Sequence, residues 1–194
     1  FYHSPVTLVN CSFAQNNTED ALNVISSECA ILGCSFHDLP SDAFDGDFVT
    51  GFIRDSVFNE IGGDAIDLSG SNFTIEKVVA KKIEDKAVSV GESSRVELKR
   101  SRFEDVGIGV ASKDLSKTRI NDLQIIKARV AAVAAYQKKE NFGPAEITAE
   151  NLQVSATEKP HLVQLGSKAK INGRLFPATP LDIEKLYFEK TENQ

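Results

Sequence analysis

The sequence SDAFDGDF at residues 41–48 returns as GDAIDLSG at residues 63–70, and an earlier variant, EDALNVIS, occupies residues 19–26. The interval is 22 residues, and a small residue followed by an apolar one returns at that interval, or one residue later, along most of the chain. The small residues of this series are Ala21, Ala43, Ala65, Ala87, Gly109 and Ala132. Repeats of this length are typical of stacked structural units.

Two further apolar series keep the same interval. One contains Phe13, Phe36, Phe58, Ala80, Phe103 and Ile125, and the other lies five residues earlier, from Leu8 to Ile120. Within each period, apolar and polar residues alternate in bursts too short for a buried helix, as in RVELKRSRF at residues 95–103. Gly, Asn, Asp and Ser separate the bursts. We therefore predict an all-β fold, a parallel β-helix with three short strands per coil, about seven coils and an irregular C-terminal cap.

In such a solenoid, equivalent residues of neighbouring coils stack about 4.8 Å apart. Cys11 and Cys34 fall in one such column, with Ser56 at the same place in the next coil, and Cys29 falls in another. We predict buried free thiols, which behave as small hydrophobic residues. A Cys11–Cys34 disulfide or a metal site is the alternative, but no CxxC pair and no histidine cluster accompanies these cysteines.

The repeat divides the chain into two predicted parts, coils over residues 1–156 and a capping segment over residues 157–194. The sequence YQKKENFGP lengthens the last recognisable coil, and the 22-residue register is lost after Glu158. The first residues already have the pattern of a coil with no polar cap before them, which would leave strand edges unpaired. We therefore expect the chain to be a fragment of a longer protein.

The predicted cap contains a helix-start signal, Thr179 followed by Pro180. Leu181, Leu186 and Phe188 would be available for packing. A docking tail for a partner is the alternative role for this segment.

Charge is distributed unevenly along the chain. Residues 1–70 contain eleven acidic side chains and one basic one, whereas residues 71–194 contain seventeen acidic and twenty-one basic ones. Nucleic acid is not expected as a partner, because phosphate neutralisation needs clustered Lys and Arg. No stretch approaches the roughly 20 apolar residues of a membrane span, so no membrane insertion is expected.

The repeated Asp-Ala-apolar-Asp motif places carboxylates in columns. Asp20, Asp42 and Asp64 form one column, with Lys86 next, and Asn23, Asp45 and Asp67 form another, with Ser89 next. The second column is predicted to face outward, because neighbours of an inward apolar residue point outward. With Asp47, five carboxylates lie on two adjacent coils: Asp42, Asp45, Asp47, Asp64 and Asp67. At one strand spacing they repel each other unless they are screened, protonated or bridged by a cation.

Three interpretations of this cluster remain open. Asp and Asn are common turn formers that bind backbone amides, so the repetition could be structural. A second interpretation is a Ca²⁺ site formed by Asp45, Asp47 and Asp67, or a strip that binds sugar hydroxyls. A third is catalysis by paired carboxylates, as in glycoside hydrolysis, with Asp42, Asp45, Asp64 and Asp67 as candidates.

Farther along the same predicted face, Lys113, Tyr136 and Lys138 are candidate ligand-binding residues, because an aromatic ring beside cations suits sugars or carboxylates. Plain packing is the alternative for Tyr136, since a single tyrosine next to a loop more often packs than binds a ligand. A catalytic site would show at least one perturbed carboxylate pKa inside a groove. A spacer would present a flat face with fully solvated acids.

The run from Ala87 to Ile147, with GDAIDLSGS at residues 63–71, resembles the right-handed parallel β-helix repeat domains of large bacterial surface or secreted proteins. These include proteins that carry a CotH-like kinase domain or a lamin-tail domain. The repeats are more distantly similar to the pectate lyase, polygalacturonase and alginate epimerase superfamily. The resemblance implies the right-handed sense of the coil, an extracellular or cell-surface bacterial location, and other domains of a parent protein as partners.

The resemblance does not carry over an active site. The chain lacks the Gly-His-Gly, Asn-Thr-Asp and Arg-x-Lys motifs of the polygalacturonases, and function resides in sites rather than in folds. The tight period leaves little sequence for the walls of a groove. We therefore expect a non-catalytic accessory domain that binds polysaccharide or acts as a spacer, with no cofactor other than a candidate Ca²⁺. The alternative is a polysaccharide-modifying hydrolase, lyase or epimerase.

Overall fold

A computed structural model describes residues 1–188 as a stack of short parallel strands followed by one short helix, α1 (Ile183–Phe188). The strands are β1 (Val6–Val9), β2 (Ser12–Ala14), β3 (Asp20–Ile25), β4 (Glu28–Leu32), β5 (Ser35–Leu39), β6 (Asp42–Asp47), β7 (Thr50–Arg54), β8 (Val57–Ile61), β9 (Ile66–Ser69), β10 (Asn72–Glu76), β11 (Val79–Gly91), β12 (Arg95–Lys113), β13 (Lys117–Tyr136), β14 (Glu146–Ser155), β15 (His161–Val163), β16 (Lys168–Ile171) and β17 (Arg174–Phe176).

The strands form three faces of one solenoid. Face A contains β3, β6 and β9, face B contains β1, β4, β7 and β10, and face C contains β2, β5 and β8. The longer strands β11, β12 and β13 turn corners, so each contributes to more than one face. Eight strands stack on face B, which gives about eight coils, one more than the sequence predicts.

The strand register confirms the predicted parallel β-helix and its 22-residue period. Every member of the Phe13 series pairs with the next one, from Phe13 opposite Phe36 to Phe103 opposite Ile125. The rings of Phe13, Phe36 and Phe58 stack with centroids 4.7 Å apart. This spacing is the separation of hydrogen-bonded strands, so one apolar column fills the interior continuously.

The corners of the coil depend on single residues with positive φ. One such corner is formed in successive coils by Asp38, Glu60, Lys82 and Asp105, with φ between 54° and 59°. A residue in the left-handed conformation turns the chain from one face to the next within one position. Asp and Asn tolerate this conformation better than most residues, which explains why they are frequent among the residues with positive φ. Gly51 has φ 140°, and a Cβ atom there would overlap the carbonyl oxygen of Cys29, so glycine is required.

The C-terminal part corrects the predicted loss of the 22-residue register. The register is not lost after Glu158, because Lys168 of β16 lies opposite Glu146 at the original interval of 22 residues. The insertion after Tyr136 had obscured this continuity in the sequence, since it lengthens one coil before the period resumes. β17 then pairs antiparallel with β16.

The helix begins later than predicted. Thr179 forms an isolated bridge with Gln164, whereas Asp182 precedes the helix and its Oδ1 accepts a hydrogen bond from the Lys185 amide at 3.0 Å. An aspartate at this position satisfies a free amide of the first turn. Leu186 packs as predicted, whereas the side chain of Phe188 and residues 189–194 lie outside the described residues.

All three cysteines are free, as predicted. Cys29 and Cys34 are buried and Cys11 is half-buried. Burial raises the pKa of the Cys29 thiol to about 12, so this sulfur stays protonated. Within the described residues, no helix has the length and hydropathy needed to cross a membrane.

Candidate functional site

The outer surface of face A carries the predicted carboxylate columns. Asn23 lies opposite Asp45, Asp45 opposite Asp67, and Asp67 opposite Ser89. The column then continues through Ala111 and Ala134. The vertical stacking on which the candidate site depends is therefore confirmed.

Alternation within β6 explains how the carboxylates are exposed. Phe44 is fully buried in the core, while Asp45 and Asp47, one and three positions later, are half-buried on the outer surface. We call Asp42, Asp45, Asp47, Asp64 and Asp67 the acidic strip. They all lie on face A or on the turn that leads into it.

Asp42, Asp64 and Lys86 form a chain of contacts across three coils. The Asp64 amide donates to Asp42 Oδ1 at 2.7 Å, and the Lys86 amide donates to Asp64 Oδ1 at 2.9 Å. The Lys86 ammonium also lies 3.0 and 3.1 Å from the two carboxylate oxygens of Asp64. Both side chains of this ion pair are almost fully buried, so Lys86 supplies the charge that Asp64 needs.

Burial raises the pKa of four carboxylates of the acidic strip. Burial, reinforced by nearby carboxylates, raises the pKa of Asp42 to about 7 and that of Asp45 to about 7. Burial and Glu92 raise the pKa of Asp47. Burial also raises the pKa of Asp64, and the Lys86 ammonium opposes that rise. A flat spacer face would present fully solvated acids. These carboxylates are instead partly or almost fully buried.

Three carboxylates come close enough to share a cation, but they differ from the predicted set. Oxygens of Asp42, Asp64 and Asp67 lie within 4.8 Å of one another, and of the predicted ligands Asp45, Asp47 and Asp67 only the last belongs to this group. Ca²⁺ takes six to eight oxygen ligands. Because the Lys86 ammonium already contacts both oxygens of Asp64, the triad fits an internal cation better than a calcium ion. Calcium binding stays a prediction.

Lys113 and Lys138 approach the acidic strip from later coils. The Lys113 side chain passes Gly91, where a Cβ atom would lie 3.5 Å from its Cε, and its Nζ is 4.0 Å from Asp67 Oδ1. Burial, with Lys113 and Lys86 nearby, lowers the pKa of Lys138. Both lysines are thus placed beside the predicted site.

Tyr136 does not face a ligand, which corrects the prediction. It is fully buried in a small apolar cluster with Ile108, Ala111 and Ala134. Leu181 and Leu186 of the C-terminal segment pack against this cluster. The outer column changes from Asp to Ala at these coils, and the resulting apolar surface is covered by the chain's own end.

Two buried polar atoms on neighbouring coils were not predicted. Asp67 Oδ1 and Ser89 Oγ are inaccessible to solvent and have no hydrogen-bond partner among the described residues. Asp67 and Ser89 stand directly opposite each other. The 22-residue register predicts Ser89 after Asp67 and Lys86 after Asp64, and the structure confirms both positions.

The comparisons with known proteins identify the fold but no relative of known activity. The family described as the right-handed beta helix region matches residues 1–148. None of the curated proteins matches the chain. The family match supplies the handedness of the coil, which the spacing of the repeats does not determine.

Proposed function

The chain belongs to the right-handed β-helix family, and from that premise we propose that it is a non-catalytic domain that binds a polysaccharide along face A. The observation that carries this proposal is the set of half-buried carboxylates of Asp45, Asp47 and Asp67 on the outer surface of adjacent coils. Backbone amides bind Oδ1 of Asp42 and of Asp64, as is typical of turn formers. Among the described residues, no backbone amide donates to the side chains of Asp45, Asp47 or Asp67.

Sugar hydroxyls donate hydrogen bonds, and the accessible oxygens of these three carboxylates can accept them. Asp67 Oδ1 and Ser89 Oγ lie beneath this surface and do not contact a ligand directly. Since the columns run along the axis of the solenoid, an extended chain of sugars matches their direction.

Phe48 supports the same proposal. It follows Asp47 directly, is 60% exposed, and its ring lies beside Gly70 of the next coil. An exposed aromatic ring offers an apolar surface for the C–H face of a sugar, while the neighbouring carboxylates accept from its hydroxyls.

Affinity electrophoresis against a panel of soluble polysaccharides tests this function. We expect retardation of the protein by at least one polysaccharide, and loss of that retardation in Asp67→Asn and Phe48→Ala. Asp55→Asn is the matched control, because Asp55 is exposed at a corner and pairs only loosely with Lys77 at 3.7 Å. If no polysaccharide retards the protein, or if the control variant weakens binding equally, face A is not the binding surface.

A polysaccharide-modifying hydrolase, lyase or epimerase is the second candidate function. The raised pKa values of Asp42 and Asp45, both about 7, favour it, because a carboxyl group that stays protonated near neutral pH can act as a general acid. Incubation with the same panel, followed by assays for reducing ends, unsaturated products and epimerised sugars, tests it. Activity that disappears in both Asp42→Asn and Asp45→Asn would support catalysis, and absence of product would leave binding as the function.

The proposal also includes a location outside the cell, beside other domains of a longer bacterial protein. It rests on the resemblance of residues 63–71 and 87–147 to surface and secreted proteins.

A further inference from the structure

We propose a second binding site, on the outer surface of face B, for a polysaccharide that carries tetrahedral oxyanions such as sulfate or phosphate esters. The site consists of Arg95, Lys117 and Arg119, which we call the basic patch. It lies on a different face from the acidic strip and is independent of the function proposed there.

The register places these three cations together. Arg95 lies opposite Lys117 on the next coil, and Arg119 is two positions after Lys117 on the same outward side of β13. Neighbouring strands are about 4.8 Å apart, and alternate residues of a strand are roughly 6.6 Å apart. Three long side chains thus start within reach of a single ligand group.

The basic patch keeps a net positive charge, because its three cations outnumber the two neighbouring carboxylates, Glu97 and Glu146. All three residues are exposed, and neither guanidinium makes a hydrogen bond or an ion pair with another described residue. Lys117 pairs with Glu146 at 3.5 Å, a solvent-exposed contact of little energy. Glu97 lies opposite Arg119 but pairs with Lys99 on its own strand. The two arginines therefore remain available to an anion.

The basic patch lines an open depression of about 620 Å³. Buried Phe73 and Val96 form part of its lining, Asn72 and Thr74 provide polar groups at its side, and Glu97 is the only carboxylate among its described lining residues. A depression of this volume is within the range of ligand sites. The concave shape distinguishes it from a uniformly charged flat surface.

The number of donors favours a tetrahedral oxyanion over a carboxylate. Two guanidiniums and one ammonium present more N–H groups than the two oxygens of a carboxylate accept, whereas a sulfate or phosphate ester offers three terminal oxygens. Arginine is also suited to bidentate contacts with such groups.

A polymeric ligand follows from the continuation of the two columns. Lys168 and Lys170 of β16 occupy the same two columns two coils after Lys117 and Arg119, roughly 10 Å along the axis, with Glu146 and Thr148 in the coil between them. Single-stranded nucleic acid is disfavoured, because its binding sites stack bases on aromatic side chains. Among the described residues, the only aromatic one that lines the depression is Phe73, which is 1% exposed.

Binding of chemically modified dextrans tests the proposal. We expect the protein to bind dextran sulfate, phosphorylated dextran or both in calorimetry, more tightly than carboxymethyl dextran and far more tightly than neutral dextran. Preference between the two esters identifies the oxyanion. The double variant Arg95→Gln/Arg119→Gln should weaken binding by about tenfold or more and reduce the slope of log Kd against log salt by about two.

Two control variants separate this site from the rest of the surface. Arg102→Gln removes an arginine from face C and should leave the affinity unchanged, and so should Lys81→Gln, which removes an exposed lysine from the same face. Equal binding of neutral or carboxymethyl dextran would overturn the proposal, as would equal weakening in the Arg102 control. Tighter binding of a single-stranded oligonucleotide would overturn it in favour of a nucleic-acid surface.

Discussion

Replacing Asp45 by Asn should stabilise the protein at pH 8 and leave its stability at pH 4 nearly unchanged. The folded protein raises the pKa of Asp45 from 3.8 to about 7, mainly by burial. The folded state therefore holds the proton more tightly than the unfolded chain does. The resulting stabilisation is fully present below about pH 4 and is lost as the pH rises to about 7.

The size of the effect follows from the shift. Each pKa unit corresponds to about 1.4 kcal/mol, so a rise of roughly three units sets an upper limit of about 4 kcal/mol. Asp45 is only half-buried, so solvent screening reduces the expected value to about 2 kcal/mol. For a chain of this size, that corresponds to an increase in Tm of roughly 4–8 °C at pH 8.

The substitution preserves the local hydrogen bond. Asn23 Nδ2 donates to Asp45 Oδ2 at 2.7 Å, and an asparagine side chain retains a carbonyl oxygen that can accept it. Denaturant unfolding of the wild type and of the variant, at several pH values between 4 and 8, measures the free energy of unfolding. Asp55→Asn is the control, because it removes an aspartate whose side chain is 51% exposed.

A variant that is less stable than the wild type at pH 8 would refute the reasoning. So would an unchanged dependence of stability on pH, because the wild type would then gain no protonation at Asp45 on folding.

Three further predictions concern the solenoid itself. Phe58→Ala should lower the free energy of unfolding by about 4 kcal/mol in denaturant titration, because the ring is fully buried within a stacked column; a loss below about 1 kcal/mol would contradict this packing. Gly51→Ala should lower Tm in a thermal melt, because its Cβ would overlap the Cys29 carbonyl, and an unchanged Tm would show that the strand can shift. Lys86→Met should cost about 3–5 kcal/mol near neutral pH by leaving Asp64 buried without its cation, and adding Asp64→Leu should recover much of that loss; no recovery would mean that the pair is not the cause.

The repeat made the fold accessible from the sequence. Because the chain returns to the same place every 22 residues, columns such as Phe13–Phe36–Phe58 could be assigned from the spacing alone, and the register confirms them. The same arithmetic placed Asp45 beside Asp67 and Lys113 beside Tyr136. The continuation of the coils beyond Glu158 was missed, since one insertion displaced the period.

The sequence by itself determined the stacking of the coils, because a periodic pattern of apolar residues admits one pairing that buries them all. Only the tertiary structure decided which polar groups meet and which are covered. It showed Lys86 reaching Asp64 and the C-terminal segment enclosing Tyr136. Contacts of this kind depend on where a long side chain runs and on segments outside the repeat. Their free energies depend on how deeply the folded chain buries the groups involved.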